Sequence, residues 1–135
     1  MREILFRGKT KHGGEWVYGG VCCSAGNTII VSFSERILTT IEGKRVLPET
    51  VGQYTGLTDK NGKKIFEGDI VKAQDDIYGS VYCDGIVGAV IFDETAFFIE
   101  TPNVIDTVYL FNECAVYEVI GNIHDNPELL EGGEE

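Results

Sequence analysis

The stretch GQYTGLTDKNGKKIFEGDIVK, residues 52–72, alternates short β-type runs with glycine-marked turns. Thr58–Gly62 is a strong turn signal, because Asn and Gly tolerate a positive φ at little cost. Lys63–Phe66 then returns the chain, and Glu67–Asp69 turns it again into a strand at Asp69–Ala73. The stretch therefore predicts short paired strands joined by two tight turns.

The same pattern continues on both sides of this stretch. Towards the N-terminus we predict strands at Glu3–Arg7, Glu15–Val21, Thr28–Phe33 and Ile37–Ile41, with turns at Lys11–Gly14, Ala25–Asn27 and Glu42–Lys44. Towards the C-terminus we predict an exposed loop at Gln74–Ser80, a hairpin or bent strand at Val81–Phe92, and strands at Ala96–Glu100, Thr107–Phe111 and Tyr117–Gly121.

Only Asn126–Leu130 has the pattern of a helix. It combines a preferred N-cap residue, Pro at the first helical position and an acid in the first turn. The helices that parallel strands need as crossovers are missing. The sequence therefore predicts a mainly β fold, either small and barrel-like or made of packed short antiparallel sheets, with a short C-terminal helix.

The length of 135 residues, 43% of them hydrophobic, is typical of one domain, which we assign to residues 1–135 with a possible internal seam near Pro48. No apolar run approaches the roughly 20 residues of a membrane span, so we expect no membrane partner. The charged opening segment lacks the apolar core of a signal peptide. These features predict a soluble, cytoplasmic protein.

The net charge of −11 is distributed unevenly along the chain. Residues 1–72 carry all 11 basic and 8 acidic side chains, a net charge of +3, whereas residues 73–135 carry 14 acidic and no basic side chains. The acidic balance argues against a general nucleic-acid binder. One interpretation of this uneven distribution is a solvated, charged surface within one domain. The more specific interpretation is a head-to-tail contact, in which the basic part of one copy meets the acidic part of another.

The cysteines, Cys22, Cys23, Cys83 and Cys114, include no Cys-x-x-Cys pair, and neither His12 nor His124 adjoins one of them. We therefore expect small buried thiols rather than a zinc site. Aligning the turn with a calcium-binding EF-hand loop places Leu57 and Gly68 at ligand positions, where oxygen donors are required. No metal or cofactor is predicted.

The carboxylates of the 52–72 stretch are the remaining candidates for chemistry. A small hydrolase or nucleotide-binding enzyme would use Asp59, Glu67 and Asp69 as acid and base or as metal ligands. The structural interpretation is that Asp69 accepts backbone hydrogen bonds in a tight turn ahead of a buried Ile70. Neither a Gly-x-Ser-x-Gly elbow nor a phosphate-binding glycine loop occurs. We take the following as candidate partner-binding residues: Tyr54, Asp59, Lys60, Asn61, Glu67 and Asp69.

Residues 52–72 as quoted above resemble the signature block of the YopX-like family. The opening Arg2–Gly8 and the closing Val119–Leu130 resemble the two ends of that family. The resemblance implies a small protein encoded by bacteriophages, prophages or mobile elements, with a cytoplasmic site in a bacterial host and a mainly β fold. It also implies self-association. No reaction, cofactor or catalytic residue is assigned to the family, so no functional residue is transferred.

Together these observations predict a non-enzymatic phage or prophage accessory protein that binds a protein partner or assembles with itself. The first alternative is an acidic DNA mimic that inhibits a host nucleic-acid-binding protein, motivated by the acidic second half. The second alternative is the small hydrolase or nucleotide-binding enzyme that uses the carboxylates of residues 59–69.

Overall fold

The computed structural model describes residues 3–33, 41–75, 86–93, 95–101, 108–110 and 115–131. Within these ranges the chain is mainly β, with a 3-10 turn at Pro48–Thr50 and the short helix α1, Glu128–Glu131. The strands are β1 Phe6–Lys9, β2 Trp16–Ser24, β3 Asn27–Phe33, β4 Ile41–Arg45, β5 Gly52–Thr58, β6 Lys64–Phe66, β7 Asp69–Asp75, β8 Val87–Asp93, β9 Ala96–Glu100, β10 Val108–Tyr109 and β11 Ala115–Asn122. The predicted fold class and C-terminal helix are confirmed.

The strands form two antiparallel sheets. The first has the order β4-β3-β2-β1-β5-β6, and the second has the order β10-β9-β8-β7-β11. Across the described ranges neither sheet closes into a barrel. Of the two predicted architectures, short antiparallel sheets are the one observed.

The chain divides into two compact units, Met1–Tyr54 and Thr55–Glu135. The boundary lies within β5, a few residues beyond the seam predicted near Pro48. Assignment of residues 1–135 to one domain stays a prediction.

The first unit is built on the β1–β2 hairpin, which pairs from Phe6–Gly19 to Lys9–Trp16. The Thr10 hydroxyl organises the connecting turn, since it accepts the amide of Glu15 and donates to the carbonyl of His12. The chain beyond β4 returns to this hairpin, where Val46 forms a bridge with Thr10. The turn predicted at Lys11–Gly14 is therefore present, although β1 begins at Phe6 rather than Glu3.

The β2–β3 hairpin turns at Ala25 and Gly26, whose φ angles are +50° and +80°. Two positive φ angles are typical of the tight turn that suits a two-residue hairpin loop. The β2 side of this hairpin is exposed from Gly20 to Ser24. Cys22 and Cys23 are consequently exposed, so their predicted burial is wrong, while Cys83 and Cys114 lie outside the described residues.

Two adjacent glycines in β2 have contrasting surroundings. A Cβ on Gly19 would overlap the backbone carbonyl of Val31, so this position requires a bare backbone. A Cβ on Gly20 would meet no atom within 4 Å. Packing against β3 therefore requires glycine at position 19, whereas it does not require glycine at position 20.

The second unit has its core where β7 pairs with β8 and β11. The buried side chains in this core are Ile65, Val71, Ala73, Val90, Ile99, Leu110 and Tyr117. Ile70, whose burial was predicted, is fully buried. The chain after β11 approaches the sheet closely, because a Cβ on Gly121 would lie 2.8 Å from the Leu129 side chain.

Two predicted boundaries are wrong. Glu42–Lys44 belongs to strand β4 rather than to a turn, because Gly43 pairs with Val31. Gln74 continues strand β7 and does not start a loop, since it pairs with Val116 of β11. The predictions for residues 37–40, 76–85, 107 and 111 lie outside the described residues.

We expect Gly19→Ala to lower the free energy of unfolding by more than about 2 kcal/mol, because the new methyl group forces β2 and β3 apart. The matched control, Gly20→Ala, should change it by less than about 0.5 kcal/mol, since its methyl group enters open space. Urea titrations followed by tryptophan fluorescence measure both. Equal costs for the two variants would contradict the assigned strand geometry.

Candidate functional site

The predicted turn at residues 59–63 is closed by two backbone hydrogen bonds. The Asp59 amide donates to the Lys63 carbonyl at 2.7 Å, and the Gly62 amide donates to the Asp59 carbonyl at 3.0 Å. Gly62 has a φ of +82°, a conformation that L side chains rarely adopt. The sequence Asp-Lys-Asn-Gly-Lys therefore places glycine at the position of the turn that requires a positive φ.

The Asp59 carboxylate is buried, with 7% of the residue exposed, and accepts three backbone amides. Its Oδ1 atom accepts the amides of Asn61 and Lys63, both at 2.9 Å. Its Oδ2 atom accepts the amide of Val119 in β11 at 3.0 Å. One side chain thus organises its own turn and attaches that turn to a strand 60 residues further along the chain.

Strand β11 lies at the edge of the second sheet and pairs with β7 on one side. On its other side, the Tyr117 carbonyl accepts the amide of Lys60 at 2.9 Å, next to the bond from Val119 to Asp59. The turn thus satisfies backbone groups that an uncovered edge strand would offer to another chain. We call residues 59–63 the edge-covering turn.

The surroundings of Asp59 favour its charged form. Burial by itself would raise the pKa of this carboxyl, but the amides of Val119, Lys63 and Asn61, together with the Lys63 ammonium, outweigh burial and hold the pKa below its ordinary value of 3.8. A general acid working near neutral pH needs the opposite shift. The surroundings of Asp59 therefore suit a charged carboxylate that accepts backbone hydrogen bonds.

Asp69, in the second turn, is also buried, with 2% of the residue exposed. Its Oδ2 atom accepts the amide of Phe66 at 2.8 Å, as the structural interpretation of the sequence predicted. The intervening Gly68 has a φ of +94°, and its amide donates to Val90 of β8. This turn is therefore attached to β8, whereas the edge-covering turn is attached to β11.

The other candidate residues are distributed over different environments. Lys60 extends over β11, where its Nζ lies 3.5 Å from a carboxylate oxygen of Glu118. Both side chains of this pair are more than one third exposed, so the pair adds little stability. Asn61 is exposed at the tip of the turn, Glu67 is half-buried, and Tyr54 belongs to the first unit, where its amide donates to Leu5.

A cation at Asp59 would have to replace three amide donors. Within the described ranges, no three His, Cys, Asp or Glu side chains converge in a way that could hold a metal ion. Nor does any helix in those ranges have the length and apolar character needed to span a membrane.

Sequence reasoning missed a group of basic and aromatic side chains in the first unit. In the β1–β2 hairpin, Arg7 lies across from Tyr18 and Lys9 across from Trp16. The Arg7 guanidinium lies 4.6 Å from the centre of the Trp16 ring, and the Lys9 ammonium lies 5.9 Å from it. The period-two spacing of Arg7, Lys9 and Lys11 was the available signal, because alternate residues of a strand share a face.

We expect Asp59→Asn to lower the free energy of unfolding by about 2 kcal/mol at neutral pH, because an amide group lacks the charge and turns one donor towards the incoming amides. Glu100→Gln, which makes the same chemical change at an exposed residue of β9, should have little effect. Chemical denaturation of the three proteins measures these differences. A cost for Asp59→Asn no larger than that for Glu100→Gln would contradict the role assigned to Asp59.

The cost of Asp59→Asn should also depend on pH. The pKa of Asp59 is lower in the folded than in the unfolded state. The contribution of the carboxylate to the free energy of unfolding is therefore complete above the unfolded-state pKa, and it is lost as the pH falls through the folded-state pKa. The stability gap between wild type and Asp59→Asn should therefore narrow in acid. Unfolding curves from neutral pH down to acid measure the gap, and a constant gap would argue against a charged, bonded carboxylate.

We expect Gly62→Val to cost more than about 1 kcal/mol, while Gly62→Asn should cost a fraction of that, since Asn tolerates a positive φ and a β-branched residue does not. A Cβ at Gly62 meets no atom within 4 Å, so the difference between the variants isolates backbone strain. Thermal and urea unfolding measure both. A near-zero cost for Gly62→Val would mean that the turn is wrongly assigned.

Comparison with known proteins agrees with this fold. Residues 5–131 match the family described as YopX protein. Among solved structures, the crystal structure of protein EF1440 from Enterococcus faecalis is similar, with 26% sequence identity and a TM-score of 0.54 over 96% of this chain and 99% of that chain. No curated protein matches. Because the match extends over nearly the whole sequence, this chain belongs to the YopX family.

Proposed function

We propose that this YopX-family protein is a non-enzymatic phage or prophage accessory protein, working in the cytoplasm of a bacterial host by binding a protein partner or another copy of itself. The main support for this proposal is the hydrogen bonding of the Asp59 carboxylate to backbone amides. Both of its oxygens accept backbone amides, so the most conspicuous carboxylate of the 52–72 stretch acts as part of the framework.

The distribution of charge supports binding through the surface. Residues 1–54 carry 7 basic and 5 acidic side chains, a net charge of +2, and residues 55–135 carry 4 basic and 17 acidic side chains, a net charge of −13. Oppositely charged surfaces set the orientation and speed of association more than its final affinity. Such a division suits a protein that must meet its partner in one orientation.

The acidic half favours a second candidate function, the mimicry of DNA. Asp93 and Glu100 are exposed on β8 and β9, and the sequence after Lys72 contains no Lys or Arg. A protein that presents carboxylates in this way could occupy a host protein that binds nucleic acid. Binding would then be competed by DNA.

The hydrolase or nucleotide-binding alternative receives less support. Asp69 is buried and accepts the Phe66 amide, and Asp59 is buried and accepts three amides. A reacting carboxylate must approach its substrate to within hydrogen-bonding distance. Either carboxylate would first have to give up the bonds that hold its turn.

Affinity capture from host lysate tests the proposal, with wild type, Asp93→Lys/Glu100→Lys and the control Glu15→Lys/Glu49→Lys as baits. The control makes the same change in net charge at exposed residues of the basic half. We expect a discrete protein partner or self-association from wild type. Loss of a partner in Asp93→Lys/Glu100→Lys alone, with release by added DNA, would favour mimicry. A bait that retains nothing specific and stays monomeric would contradict the proposal.

A further inference from the structure

One face of the first unit concentrates positive charge around two aromatic rings. We call it the cationic face, and it consists of Arg7, Lys9, Lys11, Trp16, Tyr18 and Arg45. Thr10 and Val46 form a bridge and are buried, so the residues on either side of them in each strand project to the opposite face. That alternation places Lys9, Lys11 and Arg45 on the other face, where Lys11 and Arg45 are exposed and Lys9 is half-buried against the Trp16 ring.

The cationic face brings like charges together. The Lys11 amide donates to the Arg45 carbonyl at 2.9 Å, which places these two residues across from each other. Like charges directly opposite in a sheet are destabilising. In the described part of the chain no ion pair involves the Lys11 ammonium or the Arg45 guanidinium, and both residues are exposed. An anionic partner would remove this repulsion.

The aromatic side chains give the same face contact area. Trp16 covers the nearly buried Arg7, and Tyr18 is 48% exposed beside them. Tyr, Trp and Arg are the residue types enriched in the centres of protein interfaces. The two aromatic rings among the charges therefore indicate a binding surface rather than a face that contacts only solvent.

The chain itself supplies a matching anion. Among the described residues after β7, the exposed acids are Asp93, Glu100, Asp125, Glu128 and Glu131. Three of these lie within the seven residues 125–131, which we call the acidic C-terminal turn; His124 precedes this segment, and the segment itself contains no Lys or Arg. Glu128 and Glu131 are three residues apart in α1 and so share a helix face.

We propose that the cationic face binds the acidic C-terminal turn of a second copy, so that molecules associate head to tail; this rests on the proposed function and names its partner. Nucleic acid is the weaker candidate, because it carries negative charge at every phosphate, whereas a second copy concentrates its acids after residue 54 and has a net charge of +2 over residues 1–54. A head-to-tail contact leaves one cationic face and one acidic turn free on each pair, so further copies can add to form a ring or a filament.

Sedimentation velocity of the full chain tests the proposal at about 50 mM and about 500 mM salt, since screening over this range weakens contacts between exposed charges. Wild type should self-associate with increasing concentration at low salt and dissociate at high salt. Lys11→Glu/Arg45→Glu and Glu128→Lys/Glu131→Lys should each weaken association at least about tenfold. A wild type that is monomeric at every concentration and salt would overturn the proposal, while the proposed function would still stand or fall on lysate capture.

Mixing the two charge-reversed variants provides the decisive arm. Each reversed surface then faces an oppositely charged one on the other variant, so association should return. The control Lys64→Glu/Lys72→Glu makes the same net-charge change at exposed residues of the second unit and should associate like wild type. Circular dichroism checks that every variant is folded. Unchanged association of both reversed variants, or no recovery on mixing, would contradict the proposal.

A fluorescent single-stranded oligonucleotide of mixed sequence tests the other occupant. Wild type should not bind it at low salt. Binding that is lost in Lys11→Glu/Arg45→Glu, together with a monomeric wild type, would assign the cationic face to nucleic acid and overturn self-association.

Discussion

The second unit depends on the hydrogen bonds that the Asp59 carboxylate accepts. This carboxylate accepts two amides from its own turn and one from Val119, so it closes a local loop and fixes that loop to the sheet. A neutral side chain would meet the same amides with less attraction, and an apolar one would leave them buried without acceptors. A single acidic residue thus joins local turn chemistry to long-range topology.

The edge-covering turn also bears on how the molecule meets others. Strand edges with open backbone groups pair with other chains without much selectivity. With the Val119 amide and the Tyr117 carbonyl occupied, that part of β11 is withdrawn from such pairing. At that part of β11, any contact with another molecule is then left to side chains, whose charge can select the partner and its orientation.

The sequence predicted the local parts of this account well and the long-range parts poorly. Gly62 and Asp69 reveal their roles by residue type alone, because a positive φ and a turn acceptor are local requirements. The bond from Asp59 to Val119 spans 60 residues and leaves no local pattern. Likewise, the approach of Arg45 to Lys11 depends on how β4 returns to the first hairpin, and the exposure of Cys22 depends on how far β2 extends beyond β1.

Amide hydrogen exchange at Val119 tests most directly whether Asp59 covers the edge of β11. This amide points away from β7, so only its bond to Asp59 separates it from an exchanging edge amide. In native wild type, we predict that Val119 exchanges as slowly as amides paired within the sheet, and that Asp59→Asn accelerates it while the β7–β8 amides stay protected. Rapid exchange at Val119 in wild type, or the same protection in both proteins, would contradict the account.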